Sequence, residues 1–299
     1  NMSFTGGFAN FGIRGVNVNN FTLRDSTMNG AFGNSNAADE GAVSFTQLTG
    51  TALFEGNSLS GGHEDILVID NSSGVLNLTV RDSANDQAII GLNSTAAGND
   101  GILVNTSGTA SVTALIEGVN FSGARGDMIQ FNASGTATQN ITIRNNTMHN
   151  QHPDVVSGGG GVSITGGAGT GAGYNVTYRI EGNSMRGAEG TMLFINHLGD
   201  AGTVSGSIIN NTIGNNNGVF SAVQADTGSN NGGNGIFIGL EHGTGAGNLT
   251  HAVLIQGNNI GDIRDGAGIF LRANGDGVAG NGTTRLEATA MEERAAAVL

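Results

Sequence analysis

The sequence predicts an all-β chain folded as a single-stranded, right-handed parallel β-helix of about eight or nine coils. Three observations carry this expectation. One short phrase recurs nine times, the residue after its central apolar position alternates in charge, and a second apolar strand recurs between successive copies.

The copies are FTLRDSTM (21–28), ALFEGNSL (52–59), LTVRDSAN (78–85), ALIEGVNF (114–121), ITIRNNTM (141–148), YRIEGNSM (178–185), GSIINNTI (206–213), VLIQGNNI (253–260) and TRLEATAM (284–291). Their central apolar residues are Leu23, Phe54, Val80, Ile116, Ile143, Ile180, Ile208, Ile255 and Leu286, so one coil takes about thirty residues. The next residue reads Arg24, Glu55, Arg81, Glu117, Arg144 and Glu181 in the first six copies. If consecutive copies lie parallel and in register, about 4.8 Å apart, each Arg falls between two Glu. Exposed ion pairs contribute only about 0.2–1 kcal/mol each, so this ladder reads as a device for register and solubility.

A second strand is marked by Phe45, Ile69, Val104, Phe131, Ile164, Ile195, Ile238 and Leu271, usually followed by a glycine turn. Loops into this strand are long after Met28, Asn85, Met148 and Ile213 and short after the copies between, which makes the true repeat a pair of coils. Period-2 alternation ahead of each phrase, as in Val112, Ala114 and Ile116, predicts a third short strand merging into the first. The cross-section is then triangular. Three residues after the central position stand Ser26, Asn57, Ser83, Val119, Asn146, Asn183, Asn211, Asn258 and Thr289. Asn tolerates left-handed backbone at a bend, and its amide can bond to the same amide one rung away.

Residues 1–284 are thus assigned to the solenoid, and 285–299 to a last coil or a capping helix. The segment from Ala288 to Leu299 is built of strong helix formers, and a helix there would cover an open sheet edge.

Composition narrows the function. The chain of 299 residues carries 53 Gly, one Pro, no Cys and no Trp, and its net charge is −13. All 11 cationic side chains are Arg. Nucleic acid and anionic membrane surfaces need a concentrated basic face, so neither is an expected partner. No stretch is apolar for long enough to span a bilayer. Absence of Cys fits a secreted bacterial product, and a start at Asn1 reads as a piece of a longer solenoid.

The phrases ITIRNNTM, YRIEGNSM and VLIQGNNI, with strands such as GIFLRANG between them, resemble the right-handed parallel β-helix repeats of the pectin-lyase-like superfamily. They are equally similar to the β-helical stretches of large secreted bacterial adhesins and autotransporter passengers. This resemblance runs from about residue 12 to about residue 282 and implies the coil rather than a site. Polygalacturonase-like enzymes on this fold use paired Asp, a His-Gly and an Arg-x-Lys motif, while pectate lyases use a Ca²⁺-binding acidic cluster with Arg or Lys as base. Here only His242-Gly243 and an acidic column match, and a chain without Lys has no Arg-x-Lys.

The acidic column is Asp65, Asp100 and Asp127, with Glu40 and Glu64 nearby. Stacked carboxylates need a cation, a raised pKa or solvent, so Ca²⁺ is one reading and turn capping the other. Arg125 beside Asp100 and Asp127 is the surviving candidate base for a diverged lyase. His149, His152 and Asp154 have spacing for a transition metal, though with no third His or Cys. The run 274–282 is one imperfect copy of a Gly/Asp calcium repeat, Arg125-Gly126-Asp127 spells an integrin tripeptide, and sequons such as those at Asn20, Asn77, Asn140 and Asn248 follow from composition.

The expectation is a structural or adhesive module of a large secreted or cell-surface bacterial protein, meeting carbohydrate or a neighbouring cell and not catalytic. The alternative is a polysaccharide lyase or glycoside hydrolase acting on an acidic polysaccharide.

Overall fold

The computed structural model describes residues 1–35, 40–156, 158–167, 173–214, 228–229, 232–242, 247–274 and 284–291. Among these there is no helix, and the strands form the expected parallel β-helix. Each coil contributes to three faces, named here the marker, phrase and short sheets.

In the marker sheet Phe45 pairs with Ile69, Ile69 with Val104, Val104 with Phe131, and so on through Ile164, Ile195, Ile238 and Leu271. In the phrase sheet Leu23, Phe54, Val80, Ile116, Ile143, Ile180, Ile208 and Ile255 pair in the same unbroken order. Period 2 turns these residues inward, and they are buried from end to end apart from Leu271. In the first two coils one long strand, Ile13–Arg24 and then Val43–Glu55, runs through both sheets. From the third coil a turn separates them, with Gly74, Gly108 and Gly135 at positive φ.

The short sheet corrects one expectation. Residues ahead of each phrase do not form a separate strand; they are the first half of the phrase strand, as in Ser111–Glu117 and Tyr174–Glu181. The third strand follows the bend instead. Its members include Thr27–Met28, Ser58–Leu59, Ile89–Ile90, Asn120–Phe121, Thr147–His149 and Ser184–Arg186. Met28, Leu59, Ile90, Phe121, Met148, Met185 and Ile213 point from it into the core.

The bend lies between the phrase and short sheets, and two adjacent columns build it. The first residue of the bend has positive φ in Asp25 (46°), Gly56 (63°), Gly118 (68°), Asn145 (55°), Gly182 (64°), Asn210 (54°) and Gly257 (64°). Left-handed backbone therefore sits one residue before the Asn column, on residue types that tolerate it. Side-chain-bearing Asp or Asn alternates there with Gly, and the spacing explains why. A Cβ on Gly182 would lie 2.7 Å from Asn145 Oδ1, one on Gly257 2.1 Å from Asn210 Oδ1, and one on Gly118 2.8 Å from Asp82 Oδ1. Side chains on consecutive rungs would crowd, and the Asn or Asp tip would have to move. The Arg coils carry Asp or Asn and the Glu coils carry Gly, and the alternation continues through Asn210 and Gly257 after the charges have lapsed. Steric exclusion at this corner thus sets a two-coil period independently of charge.

The second column is the Asn ladder. Asn183 Oδ1 accepts hydrogen bonds from the backbone N–H of Asn146 (3.0 Å) and from its Nδ2 (2.9 Å). Asn211 does the same for Asn183, and Asn258 for Asn211. Each Nδ2 also donates to a carbonyl of the preceding coil: Asn146 to Ile116, Asn183 to Ile143, Asn211 to Ile180. Asn57 forms a separate two-rung ladder with Ser26. Between the two ladders Ser83 leaves the column: an inserted loop pushes Ala88 into its place, since Ile89 pairs with both Ser58 and Asn120. Ser83 instead closes that loop on Asp86.

On the solvent side Arg24 and Arg81 both pair with Glu55, at 2.9 and 2.6 Å, and Arg144 pairs with Glu117 at 2.8 Å. Register places Glu117 beside Arg81 and Glu181 beside Arg144. Glu181 is also held at 2.7 Å by Arg179 of its own strand.

Loops of the short-to-marker corner are longer at 33–42, 91–101, 150–161 and 214–235 than at 60–66, 122–128, 187–192 and 261–268, which keeps the two-coil period. Residues 215–227 and 230–231 of the longest lie outside the described residues. The ninth phrase forms the strand Thr284–Met291, shifted by four residues: Ala290 stands opposite Ile255, and Leu286 opposite His251. An even shift preserves the period-2 alternation of the sequence, so that alternation does not choose between the two registers. The helix expected from Ala288 onward is not present through Met291, and 292–299 lie outside the described residues.

Two substitutions test the corner. Gly182→Asn keeps a residue that tolerates the backbone but adds a side chain against Asn145, and is expected to cost about 1–3 kcal/mol in denaturant unfolding. Adding Asn145→Gly should recover most of that loss, whereas independent sites would give additive effects.

Candidate functional site

The expected acidic site lies where the short-to-marker loop enters the marker sheet, two residues before each strand. Asp65, Asp100 and Asp127 occupy this place on coils three to five. Thr191, Asn234 and Ala267 occupy it on coils seven to nine. One bond recurs along the column. Asp65 Oδ1 accepts from the Asp100 backbone N–H at 2.7 Å, and Asp100 Oδ1 from the Asp127 N–H at 2.7 Å. Thr191 Oγ1 accepts from Asn234 N–H at 3.1 Å, and Asn234 Oδ1 from Ala267 N–H at 2.9 Å. The carboxylates do the work that a hydroxyl and an amide do elsewhere: they cap a backbone N–H of the next coil.

Burial decides their protonation. Asp65 and Asp100 are each 1% exposed. The Asp100 carboxyl is raised well above the ordinary range, first by desolvation and then by the charges of Asp127 and Asp65. Its Oδ2 has no hydrogen-bond partner. Desolvation also raises Asp127, to about 6, against the opposing bond from Ser163 Oγ at 2.5 Å. A protonated Asp100 at the centre of the column separates the charges of its neighbours and lessens the need for a cation. Glu40 lies to one side, with Oε2 accepting from the N–H groups of Asn34 and Ser35, and these bonds lower its pKa. Among the described residues no group of three or more His, Asp or Glu is arranged to hold a metal ion.

Arg125 is oriented by a bond from its backbone N–H to Asn93 Oδ1 at 3.0 Å, and its charge is felt by His152. The Arg-Gly-Asp tripeptide is built into the coil: Gly126 N–H bonds Asn99 O, and Asp127 is capped as described. His149 Nε2 meets Ser184 Oγ at 2.9 Å. His152 turns away from it, accepting the Asp154 N–H on Nδ1 at 3.1 Å, with Nε2 3.3 Å from Asn93 O. The proton therefore sits on Nε2. Desolvation lowers the pKa of His152, and Asp154 approaches it through its backbone. These three residues are not gathered on one point. His242 Nε2 contacts Gly247 O at 2.7 Å. Gly243 and residues 275–282 of the Gly/Asp run lie outside the described residues.

Two features were not singled out from the sequence. The outer face of the marker sheet carries a polar column in which Asn105 Nδ2 donates to Asp70 Oδ1 (2.7 Å) and Asn132 Nδ2 to Asn105 Oδ1 (2.8 Å). A shallow cleft of about 180 Å³ opens beside Asp70 and Asn105. Further along the same face, on coils seven to nine, Phe194 stacks on Phe237 at 5.0 Å, and Phe237 lies 5.5 Å from Phe270. Both columns stand at outward period-2 positions flanking the marker residue, a signal the sequence does contain. The second feature is an interior cluster of Tyr174, Tyr178, His197 and His251.

The chain matches no protein-family model, and no significant similarity links it to a curated protein or to a solved structure.

The carboxyl column makes a pH prediction. A folded-state pKa raised above the unfolded value contributes stability that is complete below about 4 and is lost as pH rises through the folded values, about 6 for Asp127 and a raised value for Asp100. Asp100→Asn keeps the capping oxygen and removes the charge. It is expected to match the wild type near pH 4 and to exceed it by about 1–3 kcal/mol near pH 8. A difference that stays constant between those pH values, measured by denaturant unfolding, would contradict this account.

Proposed function

We propose that this chain is a non-catalytic structural module, a stiff segment of a large secreted or surface-displayed bacterial repeat protein of the adhesin type. The observation that carries the reading is the use made of the candidate catalytic groups. Asp65 and Asp100 cap backbone N–H groups of the next coil, Asp127 is bonded by Gly161 N–H and Ser163 Oγ, burial raises the Asp100 carboxyl well above the ordinary range, and no shift of Asp100 or Asp127 traces to Arg125. A lyase needs an ionised acidic cluster to bind its cation and an exposed base above it. Relation to the pectin-lyase-like superfamily belongs to this same reading and rests on the resemblance of the repeats.

The three columns support the role of a spacer. Amides, carboxyls and ion pairs all bind one coil to the next, so the polar side chains are spent on continuity along the axis. Carbohydrate is the partner best suited to the outer marker face. Its polar column offers amide and carboxylate groups to hydroxyls, and further along the face the Phe194, Phe237 and Phe270 rings offer an apolar surface.

The test is incubation with acidic polysaccharides, with and without added Ca²⁺, while following the absorbance of unsaturated sugar products and the release of reducing ends. No turnover is expected under either condition, and chelation should leave the unfolding midpoint unchanged. Turnover that disappears in Asp100→Asn would return the enzyme reading.

A further inference from the structure

The interior of coils six to eight is unlike the rest of the column. Elsewhere the inward positions are filled mainly by aliphatic side chains, Phe and Met, but here they hold both tyrosines of the chain and two histidines. Room is made by glycine. A Cβ on Gly166 would lie 2.2 Å from the Tyr174 ring, and one on Gly206 2.3 Å from the Tyr178 ring. Tyr178 leans across Gly206 to bring its hydroxyl 2.8 Å from His251 Nε2, two coils away, while Tyr174 donates to Leu198 O at 3.1 Å. His197 sits between them, its ring 5.6 Å from Tyr174 and 5.6 Å from His251, the two imidazoles meeting edge to face at 84°.

Three ring nitrogens in this cluster are buried without a hydrogen-bond partner: both of His197, and Nδ1 of His251. No counter-charge faces them. The marker strands on either side of His197 present Gly166 and Leu240, and the phrase strand beside Tyr178 and His251 presents Val204 and Gly206. The other described titratable group on an inward position of these strands is His242, at a strand end and bonded to Gly247 O. The neighbouring charges pair among themselves at positions flanking the inward ones: Arg179 with Glu181, Arg285 with Glu287 on the strand beside His251, and Arg272 with Glu241 on the marker strands beyond His197.

We propose that this cluster is an acid-triggered opening device. When each imidazole takes up a proton from solvent, two cations face each other inside an apolar column, and the coils built on Tyr174–Glu181, Leu193–Gly199, Gly202–Ile209, Ile236–His242 and Leu249–Gln256 part before the rest of the solenoid. Burial already holds both histidines neutral. His197 is lowered well below the ordinary range by desolvation and then by His251, and His251 is lowered to about 4 by desolvation. A depressed folded-state pKa contributes stability present above the unfolded value, about 6.5, and lost as pH falls toward the folded value. The carboxyl column of coils three to five has the opposite sign, so acid tightens one half of the rod while it loosens the other.

The experiment uses the intact chain. With two Tyr and no Trp, intrinsic fluorescence reports on this cluster alone. Hydrogen exchange by mass spectrometry at pH 7 and pH 4.5, corrected for intrinsic rates, should show opening of 193–209 and 236–256 increased by about a hundredfold or more, two pH units at tenfold per unit for His251. Peptides in 67–133 should keep their protection, and tyrosine fluorescence should change with the same midpoint. In the variant carrying His197→Leu and His251→Val, the residue types found one rung away, that transition should disappear. Unchanged protection of wild-type 193–209 and 236–256 at pH 4.5 overturns the proposal without reference to any variant. So does a folded double variant that opens at the wild-type midpoint.

Discussion

The corner between the phrase and short sheets is the constraint on which the solenoid depends. Seven coils turn there through one left-handed residue, and in the Asn coils the next residue sends its side chain along the axis to bond the neighbouring coil. The backbone N–H that the turn removes from the sheet ladder is returned to a partner by an amide from the next rung. A buried N–H left without a partner costs about 1–3 kcal/mol, so repeating this arrangement from Asn146 to Asn258 holds the rod in register more firmly than exposed ion pairs can. Gly and Asx alternate at the left-handed position, where Cβ-bearing side chains on adjacent rungs would crowd each other. The charge alternation outside lies on the same two-coil period and fails first, at Ile209, where the steric alternation continues.

Polar groups inside a β-helix are tolerated when the fold gives them a partner in the next coil. Asp100 and the Asn ladder satisfy that rule, the former by surrendering its charge. His197 breaks it, with two buried nitrogens and no partner. The rod thus holds one stretch whose polar interior is most stable with protons bound and another whose polar interior is most stable without them. Uniform repetition along the outside conceals a chemical asymmetry between the two halves.

Much of this architecture was legible in the sequence, because a parallel solenoid writes its register as a period. The central residues of eight phrases and all eight marker residues stand where the spacing put them. Misreadings occurred where the period is locally silent. Residues 83–87 insert a loop that moves Ala88 into the Asn column, and a shift of four residues in the last strand leaves the period-2 alternation intact. The short sheet was placed on the wrong side of the phrase because Thr147–His149 and its equivalents are too brief for alternation to show. The Asp column was visible as a column, but its protonation depends on burial and on neighbouring carboxyls, which spacing does not encode. His149, His152 and Asp154 were grouped by proximity along the chain, whereas the fold directs the two rings to Ser184 and Asn93. The interior cluster combines residues up to 73 positions apart, from Tyr178 to His251.

The absence of cysteine makes the central claim directly measurable by cross-linking without background. Thr79 and Leu115 are register partners on consecutive phrase strands, whereas Thr113 lies two residues out of register with Thr79. Parallel neighbours place partner Cα atoms within the roughly 4.4–6.8 Å range that a disulfide spans. Mild oxidation of the folded chain carrying Thr79→Cys and Leu115→Cys should give near-complete intramolecular bond formation, and the Thr79→Cys, Thr113→Cys chain should give little. Equal cross-linking of both pairs, or none in the first, would contradict an in-register stack of coils.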